Sequence, residues 1–493
     1  MIKFFRIPTF LFVSLFLIPA YATVHDYLES IKSNPNALYS FFKSMPKGGE
    51  LHYHLAGGAY PEHMLALAAN HEYCLNQQNH VLSKPVEPCN GIESRTLFTK
   101  PEIYNQTIEA WSMKNFVPGK ESAHDHFFAS FYKFMPVVAD FRPQLLAEIM
   151  ERAANQNELY LEIMVLPDNA SSSKFANVIA DTSDWDKKHK LLLANQGFQH
   201  TIQHTIEESN RILKEAHRHL GCAKSPDAKA CSVTIKFQYY ILREQPIDNL
   251  FAQAVNAFVA ASKSPDIVGI NLVQAEDGLI SLRDYRKHMQ IIAFLHKLYP
   301  DVHIALHAGE LSPDAVMPND LRFHIYDAVY TGHAERIGHG VDIAYEDKAE
   351  ELLKFMAAKP VPVEINLTSN QIILNVSGKK HPLRYYLAHD VPVVLSTDDE
   401  GVLRTDLTRQ YVEAVYLHGL NYDDIKAINR NALTYSFLPG VSIWADDKKQ
   451  IPVPACQTLN SVSCQKFIKT SQKAQLQWQL EQNLNQFERL FSN

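Results

Sequence analysis

The residues in this sequence best suited to chemistry are histidines and carboxylates that stand where short apolar runs end. Histidine is abundant, 23 in 493 residues, and at that density chance alone gives about one His-x-His pair. Three pairs occur: His52/His54, His124/His126 and His217/His219. Only the first closes a strand-like run, where period-two alternation turns both imidazoles to one face. The other two lie in helical or loop segments and read as solvated. His307 closes a second run in His307-Ala308-Gly309-Glu310, and His339 ends Arg336-Ile337-Gly338-His339-Gly340. Asp398 and Asp399 end a fourth, Ser396-Thr397-Asp398-Asp399-Glu400. Singly, each reads as an ordinary core or surface residue; their joint placement at strand ends makes a candidate metal centre. Three histidines and a carboxylate suit Zn²⁺ with one position open to water, whereas calcium or magnesium would want more oxygen ligands. Zinc lowers the pKa of water from near 16 to about 7, which would supply hydroxide at neutral pH. Glu310, three residues past His307, is placed to trade a proton with a substrate above the metal, and His339 and Asp399 to orient and deprotonate the water.

Eight short β-rich runs would have to position these groups: 50–55, 159–166, 233–242, 267–273, 303–307, 336–339, 361–365 and 391–396. Several are nearly all apolar, as strands buried on both faces are, and helical patterns such as 282–298 and 348–358 separate them. Eight parallel strands with crossover helices predict a (β/α)8 barrel, whose chemistry sits at the C-terminal strand ends. The wide gaps after the first and second runs far exceed the usual 2–6 residues of βα loops. They predict insertions at about 70–123 and 168–231 on a barrel spanning 46–438, with a helical segment at 23–45 before it and an extension at 439–493 after it, helical from about 471 to 491.

Composition narrows the setting. The chain is 46% hydrophobic and 20% charged, which is globular, and its formal charge of −7 gives no electrostatic case for binding nucleic acid. Lys3 and Arg6 precede an apolar run over 7–18 and the small-residue site Ala20-Tyr21-Ala22. That run is shorter than the ~20 residues needed to span a bilayer, so 1–22 reads as a signal peptide cleaved near Ala22 rather than a stable membrane span. The protein is then periplasmic or secreted. The six cysteines fall into the local pairs Cys74/Cys89, Cys222/Cys231 and Cys456/Cys464, none of them a CxxC. In an exported chain they read as disulfides, each stapling an insertion or the extension, with buried free thiols as the alternative.

Taken together, these motifs resemble those of the adenosine deaminase family. Pro46-Lys47 followed by Glu50-Leu51-His52-Tyr53-His54-Leu55 is similar to that family's opening strand. His307-Ala308-Gly309-Glu310, the 336–340 run, Thr368-Ser369-Asn370 and Ser396-Thr397-Asp398-Asp399 follow in the family's order and spacing. Segments 127–139 and 431–438 are similar to its flanking helices, and the export signal with the first insertion is similar to the secreted, growth-factor-related branch. Carried over position by position, the resemblance implies one Zn²⁺ per subunit on His52, His54, His307 and Asp398. It implies Glu310 as proton donor to purine N1, His339 steering the hydroxide onto C6, and Asp399 accepting a hydrogen bond from it. The implied reaction converts adenosine, and 2′-deoxyadenosine, to the 6-oxo nucleoside and ammonia.

The substrate-side positions are Ala56, Gly57 and Gln274. Ala56 stands where the family has an Asp that meets the ribose 5′-hydroxyl. Gln274 stands where it has a Gly whose backbone N–H meets the purine, and Glu400 replaces a proline after the paired aspartates. Alternatives remain on the same barrel: adenine, a 5′- or N6-modified adenosine, or another cyclic amine. The zinc deaminases of nucleic-acid bases need His-x-Glu with Cys-x-x-Cys; His333-Ala334-Glu335 offers the first half and no Cys-x-x-Cys exists. A binding or signalling protein on a retired scaffold would lack ligands that are present here. The insertions offer surfaces for a partner or a second copy of the chain, so a homo-oligomer is among the open assemblies.

Overall fold

The computed structural model describes residues 23–84, 88–119 and 121–492; the signal-peptide reading of 1–22 lies outside them. Eight parallel strands run round a barrel: β1 (Lys47–His54), β2 (Glu158–Val165), β3 (Thr234–Leu242), β4 (Ile267–Val273), β5 (His303–Ala308), β6 (Arg336–His339), β7 (Val363–Ile365) and β8 (Val393–Leu395). They pair in chain order. A parallel bridge between Tyr53 and Asp398 brings β8 back to β1: the His54 N–H donates to the Asp398 carbonyl at 3.0 Å and the Asp398 N–H to the His52 carbonyl at 3.2 Å. This is the (β/α)8 barrel the apolar runs predict. Every residue of β2 is buried, because the barrel interior takes one face of the strand and the helical layer the other.

The helix Ala123–Asn155 does two jobs and is bent to do them. It contains Pro136 and Pro143, and Phe141 breaks the helical path at φ −124°, ψ 25°. A proline offers no N–H and its ring crowds the preceding turn, so the kink falls just before Pro143. Beyond the kink, Leu145, Leu146, Ile149 and Met150 are buried in the same core as Leu161 and Ile163 of β2. Before it, aromatic residues face the mouth of the barrel.

Each cysteine pair is bonded: Cys74–Cys89, Cys222–Cys231 and Cys456–Cys464. The first staples a small antiparallel sheet of Cys74–Leu75, Leu82–Ser83 and Ile92–Glu93. The second closes the turn between the helix Gln196–His219 and β3. The third is buried with Ile443, Ile468 and Ala474 in a separate small core. After it the helix Gln472–Arg489 brings Phe487 to within 5.2 Å of Phe41, centroid to centroid, in the helix Pro35–Ser44, so the two ends of the described chain meet. Among the described residues, no helix is long and apolar enough to cross a membrane.

Candidate active site

The strand-end residues singled out in the sequence converge at one end of the barrel. His52 and His54 close β1, His307 lies near the end of β5, His339 ends β6, and Asp398 and Asp399 follow β8. His339 and Asp398 both take left-handed backbone conformations, φ 69° and 67°. Non-glycine residues rarely sit there, and such strain collects at functional sites. Two glycines make the approach possible. A Cβ on Gly338 would lie 2.7 Å from Cε1 of His52, and one on Gly57 would lie 1.8 Å from Oδ1 of Asp399. Gly57 therefore lies directly against the Asp399 carboxylate.

One ligand atom from each of His52, His54, His307 and Asp398 falls within 4.8 Å of the others. Asp398 Oδ1 is 3.3 Å from His52 Nε2 and 3.2 Å from His54 Nε2, and His54 Nε2 faces His307 Nε2 at 3.3 Å. The second nitrogens show which way the lone pairs point. Nδ1 of His52 meets the Glu364 carboxylate at 2.7 Å, and Nδ1 of His307 meets the Asn271 side-chain oxygen at 2.9 Å. Both partners accept, so both Nδ1 atoms carry the proton and both Nε2 lone pairs face inward. The inward Nε2 of His52 is buried without a hydrogen-bond partner. Ligand atoms 2.0–2.1 Å from a tetrahedral zinc lie roughly 3.3 Å from one another, the spacing of these contacts. The donor set fits a divalent cation and, in spacing and chemistry, fits zinc.

Around the cluster lies a cavity of about 520 Å³, in the range that takes a small molecule. Its floor includes His54, His307, Glu310, His339 and Asp399, and one wall is Phe127, Phe128, Phe131, Tyr132 and Met135 of the bent helix. Glu310 approaches His339, with Oε1 3.5 Å from Nε2. Burial and the neighbouring Asp398 push the Glu310 pKa up to about 8, so its carboxyl keeps a proton at neutral pH. Burial and Asp398 likewise raise Asp399 well above the usual carboxylate range. Burial lowers His339 to about 3, leaving it neutral. The site thus holds a Glu310 carboxyl that keeps its proton, a neutral imidazole and a second carboxyl, Asp399, whose hold on a proton is strengthened, around one space.

Several supporting residues were not singled out from the sequence. Glu364 takes the Arg336 Nε–H at 2.6 Å as well as His52, and Arg336 also bonds Glu162. Burial opposes ionisation of Glu364, yet Arg336 and His52 hold it below the ordinary carboxylate range. Glu276 accepts the backbone N–H groups of Gly309 at 3.0 Å and Glu310 at 2.9 Å, fixing the loop that carries Glu310. The signal for these was a lone polar residue within or just past an otherwise apolar run: Glu162, Asn271, Glu276 and Glu364.

Ala56 and Gln274 line the cavity. Gln274 adopts φ 86°, the conformation that favours glycine, and its side-chain oxygen accepts from the Glu244 N–H at 2.9 Å. Glu400 has a structural explanation: it is buried and accepts from the Tyr53 hydroxyl at 2.7 Å and from Arg152. One reading needs correcting. His124 and His126 are not merely solvated. His124 Nε2 meets Asp277 at 3.1 Å, and His126 Nε2 meets the carbonyls of Glu109 and Ser112 at 3.0 and 3.1 Å. Folding places the start of the bent helix beside the loop after β4, a proximity no local pattern carries. His217 is half-buried and His219 exposed.

The sequence model of the adenosine deaminase family matches residues 100–451, which leaves out His52 and His54. The adenosine deaminase of Escherichia coli (strain SMS-3-5 / SECEC) is 37% identical over 139 residues, 28% of this chain and 38% of the relative. That of Klebsiella pneumoniae (strain 342) is 39% identical over 137 residues, again 28% of this chain and 38% of the relative. The matched stretch thus spans well under half of these relatives' length. Among solved structures, the adenine deaminase from Arthrobacter aurescens superposes with a TM-score of 0.52 and 19% identity, covering 80% of this chain and 94% of that one. The apo N6-methyl-AMP deaminase from Arabidopsis thaliana gives 0.52 and 20%, covering 84% and 96%. These two likenesses show a shared fold.

Proposed function

The chain belongs to the adenosine deaminase family, and from that premise we propose that it hydrolyses the 6-amino group of adenosine, and of 2′-deoxyadenosine, releasing ammonia and the 6-oxo nucleoside. The observation that carries the proposal is the convergence of His52, His54, His307 and Asp398 under a cavity that also holds Glu310, His339 and Asp399. These four would hold a zinc ion, which when bound supplies Lewis acidity that makes water nucleophilic at neutral pH.

The chain's own groups account for the proton movements. His339 and Asp399 flank the attacking oxygen and one of them takes its proton. As the O–C6 bond forms, the C6=N1 electron pair moves onto N1, which takes the proton of the Glu310 carboxyl. The proton first taken from water is then returned to the 6-amino group. The C6–N bond breaks, ammonia leaves, and the C6 hydroxyl proton restores Glu310 as the C6=O bond forms. The high pKa of Glu310 suits a group that must begin protonated. The aromatic wall of Phe127, Phe128 and Phe131 suits a flat heterocycle and excludes water. We further propose that the enzyme acts outside the cytoplasm after loss of residues 1–22, a setting that the three disulfides support.

The test is ammonia release from a panel of adenosine, 2′-deoxyadenosine, adenine, 5′-deoxyadenosine, AMP and N6-methyl-AMP. Nucleosides turning over with the highest kcat/KM supports the proposal. Turnover of adenine or a nucleotide with nucleosides inert overturns the substrate while keeping the reaction.

A further inference from the structure

Behind His339 runs a chain of hydrogen bonds that ends on a backbone N–H, a group that can only donate. The Leu383 N–H donates to Nδ1 of His381 at 3.1 Å. Burial, with His418 and His339 nearby, holds His381 down to about 3, so its ring is neutral. A neutral imidazole that accepts at Nδ1 carries its proton on Nε2. That Nε2–H donates to the Asn370 side-chain oxygen at 3.0 Å, which fixes the orientation of the amide. Asn370 Nδ2 must then donate to Nδ1 of His339, 2.9 Å away. Turning the amide over would set its N–H against the His381 N–H, a repulsive contact in a buried site. Asn366 Nδ2 approaches the same His339 nitrogen at 3.4 Å, but its own oxygen is unpartnered, so Asn366 fixes nothing; the polarity comes from Leu383.

With Nδ1 an acceptor, neutral His339 holds its proton on Nε2. That atom is buried, has no hydrogen-bond partner, and lies 3.5 Å from Glu310 Oε1 and 3.9 Å from Asp398 Oδ2. We propose that His381 and Asn370 are positioning residues that lock His339 as the Nε2–H tautomer, so that His339 donates a hydrogen bond to the attacking oxygen rather than taking its proton. The proposal rests on the deamination reading above for its chemistry, though not for the tautomer. A histidine that already carries a proton on its inward nitrogen has no lone pair there with which to act as base. The water proton therefore passes to a neighbouring aspartate carboxylate as the O–C6 bond forms, and from there to the leaving amino group. His339 stays neutral and holds the oxygen on line, as a preorganised donor should.

The experiment combines kinetics of the zinc-loaded enzyme with ¹⁵N–¹H correlation spectra of protein labelled at histidine. His381→Phe removes the donor to Asn370, while His381→Gln retains an N–H where Nε2 stood. A wrong tautomer costs a hydrolytic triad about 10⁴ in kcat; for this more remote relay we expect about 10² in His381→Phe with KM within about threefold. His381→Gln is expected to recover to within about tenfold of the parent. The spectra should show the His339 proton on Nε2 in the parent and in His381→Gln. A parent spectrum with the proton on Nδ1, or a folded His381→Phe with kcat within threefold of the parent, would overturn the proposal. Should His381→Phe fail to fold, the parent spectrum and His381→Gln still decide it. Failure of the deamination reading would appear separately, as a parent that turns over no 6-aminopurine.

Discussion

Replacing Glu364 by Gln isolates one contribution to the metal cluster. The Glu364 carboxylate accepts from His52 Nδ1 at 2.7 Å and from Arg336 Nε at 2.6 Å, and all three side chains are buried. A glutamine amide has one oxygen to offer, and the charged Arg336 donor should win it. The amide N–H₂ then faces His52 Nδ1, which can only respond as an acceptor. His52 would move its proton to Nε2, the atom that points at His54, His307 and Asp398. Loss of such an outer partner lowers metal affinity by about 10–100-fold, or about 1.4–2.8 kcal/mol. The assay is zinc competition against a chromophoric chelator at fixed pH, with circular dichroism confirming the fold. Arg336 keeps its bond to Glu162, so the barrel should remain folded. A folded Glu364→Gln protein whose zinc affinity stays within twofold of the parent would refute the claim that Glu364 sets the His52 tautomer.

The protonated Glu310 gives a pH signature. Its pKa of about 8 means the donor form prevails below that pH, so kcat/KM should fall about tenfold per unit above it, and Glu310→Gln should be nearly inactive across the range. Gly57→Ala should cost at least about 10² in kcat with zinc content unchanged, because a Cβ there would lie 1.8 Å from the Asp399 carboxylate; metal analysis with steady-state kinetics checks both halves. Replacing Cys74 and Cys89 by Ser opens a loop of sequence separation 15. The chain-entropy model puts the loss near 3 kcal/mol, which limited proteolysis should register as faster cleavage within 70–100 while the barrel stays resistant.

The barrel was legible in the sequence because its strands are buried on both faces and so read as unbroken apolar runs. Strands β4 and β6 begin and end where their runs do, whereas β7 and β8 start two residues late. There Val361-Pro362 and Val391-Pro392 are apolar residues ahead of the ladder, and the prolines lend only carbonyls, to the N–H groups of Ile337 and Val363. Burial needs no ladder hydrogen bond, so hydrophobicity overruns the strand. The site was legible for a related reason: chemistry sits at strand ends, and strand ends could be found. What stayed hidden was the support. Glu364 lies 312 positions from His52 and Asn271 lies 36 from His307, pairings that only barrel closure creates. The same holds for Glu400, whose partners Tyr53 and Arg152 lie 347 and 248 positions away, and for His124, whose contact with Asp277 depends on how the bent helix crosses the barrel mouth.

The most direct measurement is the ultraviolet change as purified protein converts adenosine to inosine, taken before chelation, after it, and after zinc is restored, beside Glu310→Gln. Conversion that stops on chelation, returns with zinc and is nearly absent from the variant is the expected result. A parent that contains zinc and leaves adenosine and every other 6-aminopurine untouched would contradict the assignment, and conversion unaffected by chelation would contradict the role given to His52, His54, His307 and Asp398.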